Sequence, residues 1–150
     1  MGAWDGNGTF DNGATITELR FLIAAEKATQ RSDVRETILR GLDFILASEL
    51  PQGGWPQRFP LPRDYGRHAT FNDNAIANVM NLILDIASSP GEFPYVDADR
   101  VTRLRGAFDR GVEFILNAQI RVDGRLATWC QQHDSVTYEP MPARSDELGS

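Results

Sequence analysis

The chain is predicted to be all-α: a helical-hairpin repeat forming part of an (α/α) toroid. Three observations predict this. Four apolar stripes recur at helical spacing along its 150 residues. The stretch Thr9-Phe10-Asp11-Asn12 returns 61 positions later (70 − 9) as Thr70-Phe71-Asn72-Asp73-Asn74, each copy heading an apolar run. Finally, Gly41-Leu42-Asp43-Phe44-Ile45-Leu46 sits over Gly111-Val112-Glu113-Phe114-Ile115-Leu116, and a Gly- and Trp-containing loop follows each. The unit is a hairpin of two helices plus a tryptophan loop, roughly 60–70 residues long.

The first helix is predicted at about 14–29, with Ile16, Leu19, Leu22 and Ile23 inward and Asn12 or Thr15 as its cap. Thr15 and Glu18 have capping-box spacing. Ser32-Asp33 opens the second helix, Ile38, Leu42, Ile45 and Leu46 form its stripe, and Pro51 ends it. A long loop follows, from Gln52 through Gly53-Gly54-Trp55-Pro56 to His68, and long ordered loops in compact domains are commonly functional. The third helix is predicted from Asp73 to Ala87, with Ile76, Val79, Met80, Ile83 and Ile86 inward. The fourth starts near Asp97 to Asp99 and carries Val101, Leu104, Phe108, Val112, Ile115 and Leu116. Thr137 to Arg144 then leads toward a third first-type helix. Two repeats fall short of the three or so that bury a continuous core. Residues 1–150 are therefore expected to be one incomplete domain, with apolar faces that favour self-association.

Composition narrows the function. A net charge of −6 argues against nonspecific binding to nucleic acid or an anionic membrane. No apolar run reaches the ~18 residues of a membrane span. The first residues lack a signal peptide's basic start and apolar core. Cys130, the single cysteine, excludes an internal disulfide and a multi-cysteine zinc site, and reads as a buried filler. With only His68 and His133, a histidine-rich zinc site is not expected either.

In a toroid of hairpins the first-type helices all start at one end. Asp11 and Asp73 are expected to face one another across that mouth, with Arg144 just before the third start. Two acids and an arginine gathered from distant positions would make a site. The plainer reading is helix capping, because Asp and Asn are favoured N-caps.

These residues resemble the family-ten pectate lyases, helical toroid enzymes that cleave polygalacturonate. The resemblance is carried by Asp11-Asn12-Gly13-Ala14-Thr15 with Glu18-Leu19-Arg20, by Gly53-Gly54-Trp55-Pro56-Gln57 with Pro60-Leu61, and by Thr70-Phe71-Asn72-Asp73. Thr128-Trp129-Cys130-Gln131-Gln132-His133-Asp134 and Pro142-Ala143-Arg144 complete it, so it spans nearly the whole chain. It implies calcium-assisted β-elimination, in which a base takes the C5 proton of a galacturonate and the C4 oxygen leaves. It implies Asp73 as a calcium and substrate ligand, Asp11 as an acid of the same centre, Asn12 as a polar neighbour and Arg144 as the base. It also implies secretion. The family's catalytic domain is longer, and its later part supplies further arginines, so activity of this chain alone is not implied. Read from the residues alone, Arg144 is a carboxylate clamp.

Further candidate substrate contacts are Asn72, the basic loop residues Arg58, Arg63, Arg67 and His68, which read equally as a solvated loop, and the tryptophans Trp55 and Trp129, which read more readily as packing residues. His133 with Asp134 is a candidate orienting pair, and His133 is the next candidate base. Two other functions remain open at this stage: a terpene cyclase or prenyltransferase-like toroid, and a noncatalytic polyuronate-binding fragment.

Overall fold

The computed structural model describes residues 8–143. Their four α-helices form two hairpins: α1 (Ile16–Thr29) with α2 (Ser32–Ser48), and α3 (Ala75–Ser88) with α4 (Ala98–Asn117). Both hairpins are antiparallel. Glu26 near the end of α1 pairs with Arg35 near the start of α2 at 2.7 Å, and Arg105 of α4 donates to the carbonyl of Ala87 at the end of α3. The two hairpins stand side by side in the same direction. Arg20 and Lys27 of α1 reach Asp85 of α3 and Glu92 beyond it, while Asp43 of α2 and Glu49 just after it meet Arg100 and Arg110 of α4. Both first-type helices therefore start at the same end.

The repeat shows in the packing. A Cβ on Gly41 of α2 would lie 2.2 Å from Leu19 Cδ2, and one on Gly111 of α4 would lie 2.4 Å from Met80 Sδ. Leu19 and Met80 are 61 positions apart (80 − 19), as the sequence repeat requires. Each hairpin thus closes on a large side chain seated over a glycine. The core runs through both hairpins, from Phe10, Leu19, Ile38, Leu42 and Ile45 to Ile76, Ile83, Leu104 and Phe114.

Three two-stranded ladders tie the loops to the helices. β1 (Gly8–Thr9) pairs antiparallel with β2 (Arg58–Phe59), and β3 (Ala69–Thr70) pairs antiparallel with β6 (Gln132–His133). The hairpin of β4 (Arg121–Val122) and β5 (Arg125–Leu126) turns at Asp123-Gly124, both with positive φ, as a tight hairpin turn requires. The registers Thr9↔Arg58 and Thr70↔Gln132 are again repeat equivalents, offset by 61 on one side and by 74 (132 − 58) on the other.

Three expectations are corrected. First, α1 and α3 begin later than predicted, because short 3-10 turns, Asp11–Gly13 and Asn72–Asn74, precede them. Second, Thr15 does not cap α1 and makes no capping box. Its φ of 64° places it in a γ-turn, with Ile16 N–H on the Ala14 carbonyl, and its hydroxyl donates to the Thr9 carbonyl at 2.8 Å. Third, α4 buries Leu104, Ala107, Gly111 and Phe114, with Ala118 buried just past its end, whereas Val112 and Leu116 face outward. Its inward line passes through small residues that let α4 approach α3 closely; Leu104 is buried and Val101, Phe108 and Ile115 pack against the core, so only Val112 and Leu116 mark the wrong face.

Alanine at Gly41 would gain helix propensity but collide with Leu19. Overpacking of this kind costs about 1–3 kcal/mol, against about 1 kcal/mol of propensity regained. Gly41→Ala is expected to be destabilising in urea unfolding; a rise in midpoint would show that the close approach imposes no constraint. Large apolar side chains also stand in solvent: Phe21 is 71% exposed, Leu116 63% and Val136 60%. Concentration-dependent association is expected in sedimentation velocity, and a single monomeric boundary at every concentration would refute it.

Candidate active site

The two Thr-Phe stretches are docked in the same way. The Thr9 hydroxyl and Phe10 N–H both donate to the Gln57 carbonyl, at 3.0 and 2.9 Å. The Thr70 hydroxyl and Phe71 N–H both donate to the Gln131 carbonyl, at 3.4 and 2.8 Å. Each acceptor lies two residues after a tryptophan whose indole N–H is itself bonded to a helix carbonyl: Trp55 to Ile45 at 2.9 Å, and Trp129 to Ile115 at 2.7 Å. The tryptophan loop is thus pinned to its own hairpin, and the Thr-Phe stretch is pinned to that loop.

Past this anchor the chain turns left-handed. Asn12 and Asp73 share one conformation, with φ 51° in both and ψ 27° and 28°. Asn and Asp tolerate this region better than other residues with a side chain. The shared geometry corrects the expected equivalence. Asp73 corresponds to Asn12 (73 − 12 = 61) and Asp11 to Asn72 (72 − 11 = 61), so acid and amide are exchanged between the copies. Neither acid caps a helix.

The two turns pack against each other and bring Asp11 and Asp73 together. The Asp11 carboxyl beside it, first as a hydrogen-bond partner and then, after burial, as a like charge, raises the Asp73 pKa above its ordinary value. The backbone N–H of Asn12 acts in the opposite direction. The Asn72 amide donates to Asp73 Oδ2 at 2.8 Å. Beside the pair, Asn72, Asp73, Asn74, Gln131 and the Trp129 ring line a cleft of about 270 Å³. Trp129 stacks on Phe71 at 6.0 Å and remains 36% exposed.

The structure therefore gathers Asp11, Asn12, Asn72, Asp73 and Trp129 at one end of the hairpins, and it moves other candidates away. Trp55 is fully buried, with its ring close to Gly111 of α4, so it packs the core and cannot meet a sugar. His133 is also fully buried. Its Nε2 accepts from the Cys130 N–H at 2.9 Å, so its Nδ1 donates to the Tyr138 carbonyl at 2.8 Å. With both nitrogens engaged it is neither a substrate contact nor a reserve base. Asp134 does not orient it; that carboxylate accepts from the Val136 and Thr137 N–H groups. Cys130 is buried, as expected, and burial pushes its thiol pKa up.

Arg67 and His68 lie elsewhere. With Arg63, Tyr65 and the Asp134–Val136 turn they line a separate cleft of about 470 Å³. Arg58 is not a free clamp: it holds Asp64 at 2.7 Å and lies over the Tyr65 ring. Arg144 lies outside the described residues. What the sequence reading missed is the pair of glutamine carbonyls, Gln57 and Gln131. A backbone acceptor has no side-chain signature, although the repeated Trp-x-Gln spacing marks both positions.

The pectic acid lyase family profile matches residues 2–150. The chain belongs to the pectic acid lyase family. Among solved structures, the family 10 polysaccharide lyase from Cellvibrio cellulosa is 36% identical, with a TM-score of 0.92 over 96% of this chain and 45% of that one. An aspartate-to-alanine variant of that lyase, solved in complex with trigalacturonic acid, matches equally well, with TM-score 0.92 and 36% identity over 96% of this chain and 46% of that one. The chain thus spans less than half the length of these relatives. No curated protein matches it. Among the described residues, no helix is long and apolar enough to cross a membrane. Family membership sets aside the terpene cyclase and prenyltransferase reading.

The acid pair also sets a pH dependence. Asp73 has a folded pKa above its ordinary value, so its protonated form favours the fold. That contribution is fully present below the ordinary aspartate pKa and is lost as pH rises through the raised one. Asp73→Asn cannot ionise and should lose this component. Thermal melts from about pH 3 to about pH 7 check it: the parent should lose more stability over this interval than the variant, and parallel profiles would show that the pair carries no such coupling.

Proposed function

We propose that the chain carries the calcium-binding part of a polygalacturonate lyase, a helical toroid acting outside the cell by β-elimination. The observation that supports this reading is the meeting of Asp11 and Asp73, each delivered by its own repeat, beside the partly exposed ring of Trp129.

The donor set fits calcium. It offers two carboxylates, with the side-chain amides of Asn12 and Asn72 beside them, and calcium takes about six to eight oxygen ligands. Among the described residues no three His, Cys, Asp or Glu side chains converge, so water, backbone carbonyls and the uronate itself would complete the shell. Two like charges held together, one with its pKa raised, are the arrangement a divalent cation relieves. When bound, calcium would neutralise the uronate carboxylate and stabilise the negative charge that develops as C5 loses its proton.

The chain's own groups do the rest. Asp73 and Asp11 would hold the ion, and the Asn72 amide and Asn12 N–H fix the Asp73 carboxylate in place. The exposed face of Trp129 would stack on a sugar ring. Arg144 takes the base role by resemblance: its neutral guanidine accepts the C5 proton, the C4–O bond breaks, a C4–C5 double bond forms, and the leaving oxygen is protonated from water. Arginine is ordinarily protonated to above about pH 12, which assigns this step to alkaline conditions.

The test is calcium-dependent appearance of unsaturated product, read by ultraviolet absorbance, for this chain and for a lengthened one. Asp73→Ala in an active form is expected to cut turnover by about 10²-fold or more with the fold intact. Unchanged turnover and calcium dependence would exclude the role. Arg144→Lys and Arg144→Ala separate a base from a clamp. A base loses kcat with KM largely kept, whereas a clamp mainly raises KM.

A further inference from the structure

The side chains of Arg63, Arg67 and His68 have no part in the chemistry just described, and they line a cleft of their own. The β3–β6 ladder separates it from the acid-pair cleft: residues 71–74 and 129–131 lie past one end, and residues 67–68 and 134–136 past the other. The extended chain from His68 to Phe71 covers three residues, about 10 Å, which is farther than one sugar ring spans.

The local charge is unusual for a chain of net charge −6. Both acids in this cleft are already engaged within the protein. Asp64 accepts from Arg58 and from the Gly66 N–H at 2.9 Å, and Asp134 accepts from Val136 and Thr137 at 2.8 and 2.9 Å. Gly66 makes the first arrangement possible, since a Cβ there would lie 2.7 Å from Arg58 Nε. Arg58 therefore braces the loop. The guanidinium groups of Arg63 and Arg67, on either side of the braced turn, make no hydrogen bond or ion pair among the described residues, although the Arg67 N–H donates to the Asp64 carbonyl at 3.3 Å. His68 is half-buried, and burial holds its pKa below the usual value, against the pull of Asp134. Near neutral pH it is an uncharged imidazole that can donate or accept one hydrogen bond. Two arginine forks, a neutral imidazole and the apolar edges of Leu61, Val136 and Pro142 suit a sugar that carries a carboxylate.

We propose that this cleft is a second carboxylate subsite, which holds a uronate unit of the same polysaccharide away from the unit at Asp11 and Asp73. The inference rests on the polyuronate reading above and adds to it a dependence on oligomer length.

Calorimetric titration of the chain with galacturonate oligomers of increasing length, in calcium, tests it. Affinity should rise by roughly tenfold or more once an oligomer spans both clefts. In Arg63→Ala/Arg67→Ala that rise should vanish while the short-oligomer affinity remains. Arg63→Lys/Arg67→Lys should recover only part of it, because the charge returns without the fork. A double alanine variant, folded by circular dichroism, that shows the parent's rise overturns the inference. So does a parent whose affinity does not grow with length. In both cases the acid-pair reading survives. A parent that binds no oligomer of any length overturns the polyuronate reading and this inference together.

Discussion

Two carbonyl oxygens, those of Gln57 and Gln131, are what the site depends on. Each accepts a threonine hydroxyl and the next residue's N–H, and so clamps a Thr-Phe stretch onto a tryptophan loop. The loop is fixed in turn by an indole N–H bonded to a helix carbonyl. A chain of neutral, directional bonds thus runs from the hairpin to the turn that carries each acid. Buried hydrogen bonds of this kind contribute about 1 kcal/mol each, but leaving one partner unmatched costs more. The network therefore specifies position more than it adds stability.

What the network positions is unfavourable in itself. Two carboxylates meet, and residues with positive φ crowd the approach: Asn12, Thr15, Asp73 and Asn74. A β-branched threonine at φ 64° is a real outlier. Strain of this sort persists where the surroundings over-determine it. Here they do so twice, because Phe10 is fully buried in the core and Phe71 is stacked between Phe114 and Trp129. The energy gained by seating those rings supports a local geometry the acids would not adopt alone.

The hairpins were legible because their signal is periodic. Ile38, Leu42 and Ile45, and Ile76, Val79, Met80 and Ile83, point inward as their spacing demands. The α4 face was misread where its inward residues are Ala107, Gly111 and Ala118, since hydropathy is weak at the positions of closest approach. The meeting of Asp11 with Asp73 was legible from the repeat, while the exchange of acid and amide was not. It follows from backbone conformation, and Asp and Asn are equally suited to the left-handed region. Trp55 and Trp129 carry the same motif and make the same bond, yet one is buried and the other is not. The difference comes from the second hairpin, whose α4 packs over Trp55 at Gly111. Neighbours distant in sequence decide such things, and residue type does not report them.

The doubled clamp also sets an order of events. Within each hairpin the contacts are local, between helices joined by short connections, and such contacts close early and at low entropic cost. The Asp11–Asp73 contact joins residues 62 positions apart (73 − 11) and depends on both clamps being closed. It lies at the boundary between the two hairpins. The core and four ion pairs cross that boundary, so the two hairpins close it together. The placement of the acid pair is thus set by how the two hairpins pack on each other, and a change at that seam would move Asp11 relative to Asp73 without touching either residue.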